Sequence, residues 1–374
     1  MALALVALLA FCPAAALRSS QIPQTPPAPA SPRGQEETSP ELRRSSRPRP
    51  PSPEMEELEK AIRRGLDYLM EKQSLTGALS DRFPVAVTAL GGLAFLGQGA
   101  VHSRGPYGDV IAGAVLYLTA PERRDARGFI RDGGENASRM HGHGYAILFL
   151  SQVVGGLPFP HREAEVRKVI RDGVKVIVES QTVRGGWGYT PSDDKDEASI
   201  TVCCLQALRA AKDAGFEVPE KTIKGALRYL KDSCLKDGSF RYSLTRGRGT
   251  TSTYELTAAA VSTLEAAGEY AMEEHRKGVG YLLKTLEKVR NRRANVFDAC
   301  DRFPFYGNLY AAQVYHQIGG EVWEKWSAEA WPHLLSQRDD RDGSWESRFG
   351  PQYATAMALL ILEVPLGYLP IFER

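Results

Sequence analysis

Side chains that can act in catalysis recur at corresponding positions of this chain, just before or at the start of a long apolar segment. Carboxylates and imidazoles at such places can act as general acids and bases, and paired carboxylates can hydrolyse glycosidic bonds. The candidate catalytic residues at these places are His143, Asp196, Glu255 and Asp298. The neighbouring side chains that we expect to contact a ligand are His141, Tyr145, Tyr254, Phe305, Tyr306 and Tyr310.

Each of these carboxylates also has a purely structural interpretation. Acidic side chains at helix starts cap free backbone amides and complement the helix dipole, which contributes about 0.3–1 kcal/mol each. Capping is therefore the alternative to catalysis for Asp196, Glu255 and Asp298. If one residue acts as a general base, His143 is the choice, because its imidazole titrates near neutral pH and directly precedes an apolar segment.

The sequence does not predict a metal site or a cofactor. His141 and His143 are two positions apart, and residues at this spacing do not share a helical face. A zinc site usually requires three or four ligands, and no partner for the two histidines is evident.

The elements that must position these residues form an internal repeat with a period near fifty residues. One helix of each unit is amphipathic, and in the first five units it carries a glycine in a similar setting, at Gly65, Gly113, Gly173, Gly225 and Gly278. The corresponding helix of the sixth unit, near 327–336, is less regular. The other is apolar around most of its circumference, over 85–96, 144–154, 199–211, 254–267, 309–318 and 353–363. A helix that is apolar on all sides is buried on all sides.

Two helix types that alternate six times predict an all-α fold, an α/α toroid of six helix hairpins. The apolar helices should form the inner ring and the amphipathic helices the outer ring. Inner helices that run parallel bring their amino-terminal ends, and the candidate site residues, to one rim of a central cavity. An open solenoid is the alternative, since helix pairs also stack that way.

An aromatic-glycine turn joins the two helices in several units. Examples are Gln181-Thr-Val-Arg-Gly-Gly-Trp187 and Gln337-Arg-Asp-Asp-Arg-Asp-Gly-Ser-Trp345. The glycine permits the turn, the ring can pack on the helix pair, and the glutamine can bond backbone at a helix end.

This turn resembles the QW motif of squalene-hopene and oxidosqualene cyclases, which also recurs in protein prenyltransferase β subunits. The segments 141–150, 197–211, 305–314 and 356–365 are similar to uncharacterised bacterial proteins with prenyltransferase or squalene-oxidase repeats, frequent in planctomycetes. The resemblance covers about 320 residues. It implies a toroid and, if the protein is an enzyme, a terpenoid cyclase-like or prenyltransferase-like reaction.

The chain departs from the catalytic motifs of both families. Class II triterpene cyclases protonate their substrate with an Asp-x-Asp-Asp segment. The acidic run 193–197 of this chain has its carboxylates in a different order and contains Lys195. The zinc of protein prenyltransferases is held by an Asp-x-Cys pair and a later histidine. Asp298-Ala-Cys300 reproduces the pair, but Gln352-Tyr353 stands where that histidine is expected.

The first 53 residues differ in composition from the rest. Residues 1–17 contain no charged side chain and read as a secretory signal peptide, so we expect export to the periplasm or the cell exterior. Residues 18–53 are rich in Pro, Ser and Arg and predict a disordered linker with a charge of +3 from six Arg and three Glu. The whole chain carries +2, so the remainder from Glu54 onward is near −1 and the toroid domain, 55–374, is close to neutral. A near-neutral domain argues against nucleic acid as a partner, and no segment is long and apolar enough for a transmembrane helix in the mature chain.

Three functions follow as hypotheses. The first is a cavity that binds a hydrophobic ligand, an isoprenoid or another lipid, with or without catalysis. The second is an exported scaffold without catalysis, which binds a protein or peptide at the toroid rim. The third is a carbohydrate-active enzyme, in which Asp196 faces Glu255 or Asp298 across the cavity at about 5–10 Å.

Overall fold

A computed structural model describes residues 53–134, 137–245 and 251–367. The expected signal peptide, and all but the last residue of the expected linker, lie outside these residues. None of the helices in the described ranges is long and apolar enough to cross a membrane.

Twelve α-helices alternate between two kinds along the described chain. The odd-numbered helices are α1 (Pro53–Lys72), α3 (Gly108–Thr119), α5 (Pro160–Glu179), α7 (Glu220–Ser233), α9 (Glu273–Asn291) and α11 (Gly320–Ser336). The even-numbered helices are α2 (Pro84–Gly97), α4 (Arg139–Val153), α6 (Ala198–Asp213), α8 (Tyr254–Ala266), α10 (Pro304–Ile318) and α12 (Pro351–Glu363). One short hairpin, β1 (Phe240–Arg241) with β2 (Ser252–Thr253), precedes α8 and pairs Phe240 with Thr253.

The even-numbered helices form a closed inner ring. Each packs on the next one in the order α2, α4, α6, α8, α10 and α12, and α12 returns to pack on α2. Nearly every residue of these helices is buried, whereas the outer helices bury one face only. The predicted α/α toroid with an apolar inner ring is therefore confirmed, and the open solenoid is excluded.

The repeated glycines mark the joints between neighbouring units. Gly185 has φ +92°, and a Cβ there would lie 2.1 Å from the carbonyl oxygen of Gly225 in the next outer helix. The side-chain amide of Gln181 closes the joint, because Nε2 donates to the carbonyls of Gly185 at 2.8 Å and Thr222 at 2.9 Å. Only glycine permits this backbone conformation together with this approach.

The same joint closes the outer ring on itself. A Cβ at Gly343, in the turn after α11, would lie 2.9 Å from the carbonyl oxygen of Arg64 in α1. The indole rings of Trp187 and Trp345 are fully buried, and each donates from Nε1 to a carbonyl of the preceding outer helix at 2.7 Å. The aromatic-glycine turn thus joins one unit to the next.

A second repeated contact ties the turn to the following inner helix in five of the six units. A side chain at the fourth or fifth residue of the inner helix accepts a hydrogen bond, 3.0–3.1 Å long, from a backbone amide of the turn. The accepting residues are Thr88, His143, Thr201, Thr257 and Thr355. His143 therefore occupies in α4 the position that threonine occupies in four other inner helices.

Helices α4 and α10 begin about five residues earlier than the apolar pattern predicts. His141 and His143 therefore lie inside the first two turns of α4 and do not precede it. Gly142 and Gly144 are helical, and neighbouring residues lie too close to both of them for a side chain. A Cβ at Gly144 would lie 2.6 Å from the sulfur of Cys203. Gly144 thus serves the close packing of α4 on α6, whereas a Cβ at Gly142 would meet Ser138 and, at 3.1 Å, Val85 of α2.

Candidate functional site

Tyrosine side chains meet on the axis of the inner ring. Tyr145 of α4 and Tyr310 of α10 come from opposite helices of the ring, and their hydroxyl groups lie next to each other. The Tyr310 hydroxyl also donates to Oε1 of Gln206 in α6 at 3.0 Å. Two turns below the helix starts, tyrosine side chains therefore occupy the centre of the ring, where a cavity was expected.

A group of aromatic rings, which we call the aromatic mouth, lies above these tyrosines at the amino-terminal ends of the inner helices. We define it as Phe83, Tyr189, Phe303, Phe349 and Tyr353. The ring of Phe349 is 5.9 Å from Phe83, 6.1 Å from Phe303 and 5.2 Å from Tyr353, measured between centroids. These contacts bring together the starts of α2, α10 and α12. The rings are partly exposed, and Phe303 is 37% exposed.

The mouth continues downwards into the axial tyrosines. Tyr353 lies close enough to Tyr145, Tyr306 and Tyr310 to raise the pKa of each, although burial is the main cause in all three. Tyr306 packs edge-to-face on Tyr310 with centroids 4.9 Å apart. Apart from the arginines at its rim, the lining is therefore aromatic and uncharged at neutral pH.

Arginine side chains border the mouth. The guanidinium group of Arg348 lies 4.4 Å above the ring of Phe303, and that of Arg139 lies 5.9 Å from the ring of Tyr189. Exposed cation–π contacts of this kind contribute about 0.5–1 kcal/mol each. Arg82 lies 6.0 Å from the ring of Phe83 and donates to the carbonyl of Arg348 at 2.9 Å. These contacts hold the outer rings in place.

Backbone strain coincides with the mouth. Four non-glycine residues in the described ranges have positive φ, and two of them, Phe83 at +50° and Arg139 at +53°, immediately precede or begin inner helices there. Strained backbone of this kind costs about 1–3 kcal/mol and concentrates at binding and catalytic sites. The mouth is therefore the strongest candidate site in the described part of the molecule.

His141 forms the wall of the mouth beside Tyr145 and Tyr189. Its ring is nearly parallel to Tyr145, with centroids 6.4 Å apart, and edge-on to Tyr189 at 6.1 Å. Nε2 of His141 lies 3.0 Å from Oγ of Ser199, which in turn donates to Oε2 of Glu197. Burial lowers the pKa of His141 to about 4, so the ring is neutral at neutral pH.

His143 has a different environment from His141. Its Nδ1 accepts from the amide of Ile130 at 3.0 Å, and its Nε2 lies 3.1 Å from the carbonyl oxygen of Gly173, to which it donates. The side chain is fully buried, and burial lowers its pKa to about 4. This placement argues against the expected general base, because both ring nitrogens are engaged with backbone.

Asp196 and Glu255 are each held by donors at a separate packing interface. Oδ1 of Asp196 accepts from the Tyr229 hydroxyl and from Oγ of Ser243, both at 2.9 Å, and from the amide of Leu244 at 2.7 Å. Oε1 of Glu255 accepts from the amides of residues 302 and 303 at 2.9 and 3.2 Å. Both carboxylates hold the backbone of a loop from another part of the chain, whereas the starts of α6 and α8 are capped by Glu197 and Thr253.

Asp298 is more exposed and lies at a third place. It lines an open cavity of about 680 Å³ outside the ring, together with Cys300, Asp301, Phe305 and Glu346. Burial is the main reason why the pKa of the Cys300 thiol is raised well above its ordinary value. Among the described residues, no hydrogen bond or ion pair joins any two of the four candidate catalytic residues, and no group of three or more His, Cys, Asp or Glu could hold a metal.

Four of the six expected ligand contacts come together. His141, Tyr145, Tyr306 and Tyr310 lie in the mouth or directly below it. Tyr254 lies between α8 and α10, where its hydroxyl is 2.6 Å from that of Tyr315, and Phe305 packs on Phe297 beside the outer cavity.

The aromatic residues just ahead of the inner helices were not expected from the sequence. A usable signal was present, because Phe83 and Phe303 each directly precede a proline at the first position of an inner helix. Phe349 precedes Gly-Pro in the same way before α12.

Comparisons with known proteins identify the fold. No protein-family model matches the sequence, and no curated protein matches it either. Among solved structures, the type II terpene cyclase MstE from Scytonema is 15% identical, with a TM-score of 0.53 over 84% of this chain and 100% of the cyclase. A D-mannose isomerase is 14% identical, with a TM-score of 0.57 over 83% of this chain and 98% of the isomerase.

Another similar structure is the α-1,6-mannanase GH76A of Salegentibacter sp. HEL1_6. It is 7% identical, with a TM-score of 0.55 over 82% of this chain and 98% of the mannanase. Likeness at these identities is a likeness of fold. The chain is thus an α/α toroid of the kind found in terpene cyclases and in carbohydrate-active enzymes.

Proposed function

We propose that this protein binds a hydrophobic, isoprenoid-like ligand in the aromatic mouth. The observation that supports the proposal is a continuous, partly exposed aromatic lining, which runs from the starts of α2, α10 and α12 down to the axial tyrosines. Binding sites for small molecules are concave and mostly apolar, with a few polar groups that orient the ligand. The mouth has this composition.

The filled axis determines how such a ligand would sit. Its hydrocarbon part would pack on the rings of Phe349 and Tyr353 and end above Tyr310, because Tyr145 and Tyr310 close the path through the ring. A structure of the similar cyclase MstE contains geranylgeranyl dihydroxybenzoate as its substrate. In this proposal, an isoprenoid chain is the corresponding ligand class for this protein. Membership of the prenyltransferase or squalene-oxidase repeat family is part of the same proposal. Whether the ligand is transformed is a separate question from whether it binds.

Mass spectrometry of lipids extracted from the purified full-length protein tests the proposal. We expect an isoprenoid or similar lipid in excess over an unrelated protein prepared in the same way. Phe303→Asp should reduce the amount recovered, because it places a charge among the mouth rings at a position that is already 37% exposed. Leu75→Asp is the matched control, since Leu75 is fully exposed in the turn after α1. If no lipid exceeds the control, or if both variants retain it equally, the proposal is wrong.

A second candidate function is the binding of a protein partner at the same rim. Leu75 and Val183 are fully exposed apolar side chains at the second residue after the glutamine of two corresponding turns. Exposed apolar groups at repeated positions favour a protein contact. Under this alternative, Leu75→Asp with Val183→Asp would abolish partner binding, while Phe303→Asp would leave it intact. The carbohydrate-active alternative shares its fold with the similar mannanase, but the residues expected to act in it are held apart, because Asp196 and Glu255 each lie in their own donor cluster.

A further inference from the structure

The hydrogen-bond chain at His141 defines where its ring proton lies. Oγ of Ser199 donates its only proton to Oε2 of Glu197, at 2.5 Å. Ser199 can therefore only accept from His141, whose Nε2 is 3.0 Å away, so that Nε2 carries the proton. The lone pair is then on Nδ1, for which the described residues supply no donor.

Within the described ranges, His141 therefore offers an acceptor that no donor occupies, and its ring packs on Tyr145 and Tyr189 at the wall of the mouth. Burial keeps the ring neutral, since it lowers the pKa of His141 to about 4. The backbone beside it is also anchored, because the thiol of Cys203 lies 3.6 Å from the carbonyl oxygen of His141. Ser199 and Glu197 are positioning residues in this arrangement, because they act on a ligand only through the ring of His141.

A donor without a partner lies in the same neighbourhood. The hydroxyl of Tyr306 is buried and makes no hydrogen bond within the described part of the chain. Glu197 and Cys203, which support His141, are also close enough to Tyr306 to raise its pKa, after burial itself. Buried hydroxyls are nearly always paired, so an unpaired one beside a mouth indicates a group supplied by a ligand.

Resting on the proposed function, we infer that the ligand ends in a neutral hydroxyl group, as an isoprenoid alcohol or phenol does. This hydroxyl donates to Nδ1 of His141 and accepts from the hydroxyl of Tyr306. A carboxylate has no proton to donate to Nδ1, and its charge would face the lone pair. The head group is therefore recognised by one acceptor and one donor, and the arginines at the outer edge only hold the rings.

Isothermal titration of the full-length protein with three probes tests the inference. The probes are farnesol, its methyl ether, which keeps the oxygen but has no proton, and farnesoic acid, which is ionised at neutral pH. We expect farnesol to bind about tenfold more tightly than the methyl ether, because the ether leaves the His141 acceptor unpaired. Farnesoic acid should bind more weakly than farnesol.

Variants separate recognition by His141 from general effects on folding. His141→Phe keeps a ring of similar size and should bring the two affinities close to each other. Ser199→Ala leaves the imidazole in place but frees its tautomer, so it should reduce the ratio in part even if His141→Phe fails to fold. His161→Gln, at an exposed histidine at the start of α5, is the matched control and should keep the full ratio.

The outcomes distinguish this inference from the function on which it rests. Equal affinity of the wild-type protein for farnesol and its ether would overturn the assignment of His141 and leave the proposed function standing. Tighter binding of farnesoic acid would overturn it as well, and would place the head group on the arginines instead. If none of the three probes binds, both the proposed function and this inference are wrong.

Discussion

The joint between units three and four offers a quantitative test of how the ring is held together. Gly185→Ala introduces a Cβ at a backbone φ of +92°, 2.1 Å from the carbonyl oxygen of Gly225. The left-handed conformation alone costs a non-glycine residue about 1–2 kcal/mol. Relief of the contact moves the turn away from α7 and strains the bonds of Gln181, at a further cost of about 1–3 kcal/mol. We therefore expect Gly185→Ala to lower the free energy of unfolding by about 2–5 kcal/mol.

Gly215→Ala is the control that isolates the backbone part of this cost. Gly215 follows α6 with a φ of +85°, and a Cβ there would have nothing within 4 Å. For Gly215→Ala we therefore expect only the backbone part of the cost, a decrease of about 1–2 kcal/mol in the free energy of unfolding. Urea unfolding followed by far-ultraviolet circular dichroism measures both variants. An equal loss of stability in the two would show that the turn yields freely, and that the repeated glycine contacts do not hold neighbouring units together.

Three further predictions concern buried polar groups. His143→Thr should be more stable than His143→Ala by about 1–2 kcal/mol in urea unfolding. Threonine can still accept a hydrogen bond from the buried amide of Ile130, as threonines do at the same position in other units. Equal stabilities of the two variants would contradict this. Tyr306→Phe should leave the melting temperature unchanged or raise it, because the hydroxyl that it removes has no partner in the part of the chain that the structure describes. A clear drop would show that this hydroxyl is bonded. Burial raises the pKa of Glu363 well above 4.5. Between pH 4.5 and this raised pKa, the folded state keeps a proton that the unfolded state releases. The free energy of unfolding of the wild-type protein therefore falls as the pH rises through this range. The stability of Glu363→Gln relative to wild type should then increase by about 1.4 kcal/mol per pH unit in that range, and a constant difference between pH 5 and pH 7 would refute the raised pKa.

The architecture followed from the sequence because it depends on patterns that act within one helix. An apolar circumference can only be buried, and six such helices separated by one-sided helices must form an inner and an outer layer. Helix boundaries were less predictable. The start of α4 contains His141, Gly142 and Gly144, which were interpreted as a loop. They lie inside the helix, where α6 packs on His141 and Gly144 and α2 packs on Gly142.

The turn motif was recognisable, but its role in the ring was not. The sequence shows Gln181 and Gly185 near each other and Gly225 forty residues later. That the first two dock on the third depends on the stacking of successive units, which no local pattern contains. The glycine in each outer helix is explained only by its neighbour from the preceding unit.

The candidate site was predicted in location and only partly in composition. Parallel inner helices place their starts at one rim, and four of the expected ligand contacts do lie there. The state of the centre was not predictable, because it depends on the radius of the ring relative to the length of a tyrosine side chain. Tyr145 and Tyr310 reach each other across the axis, so a ring that the apolar pattern predicts to be hollow is closed two turns below its mouth.

His141 and His143 show why residue type and spacing could not rank the candidate bases. The two histidines share one helical segment, and burial lowers the pKa of both to about 4. They differ in what other units bring to them. The turn before α4 and the outer helix α5 use both nitrogens of His143, whereas α6 brings Ser199 to only one nitrogen of His141. Which nitrogen of His141 lacks a donor among the described residues is therefore a property of the assembled ring rather than of the segment that carries both histidines.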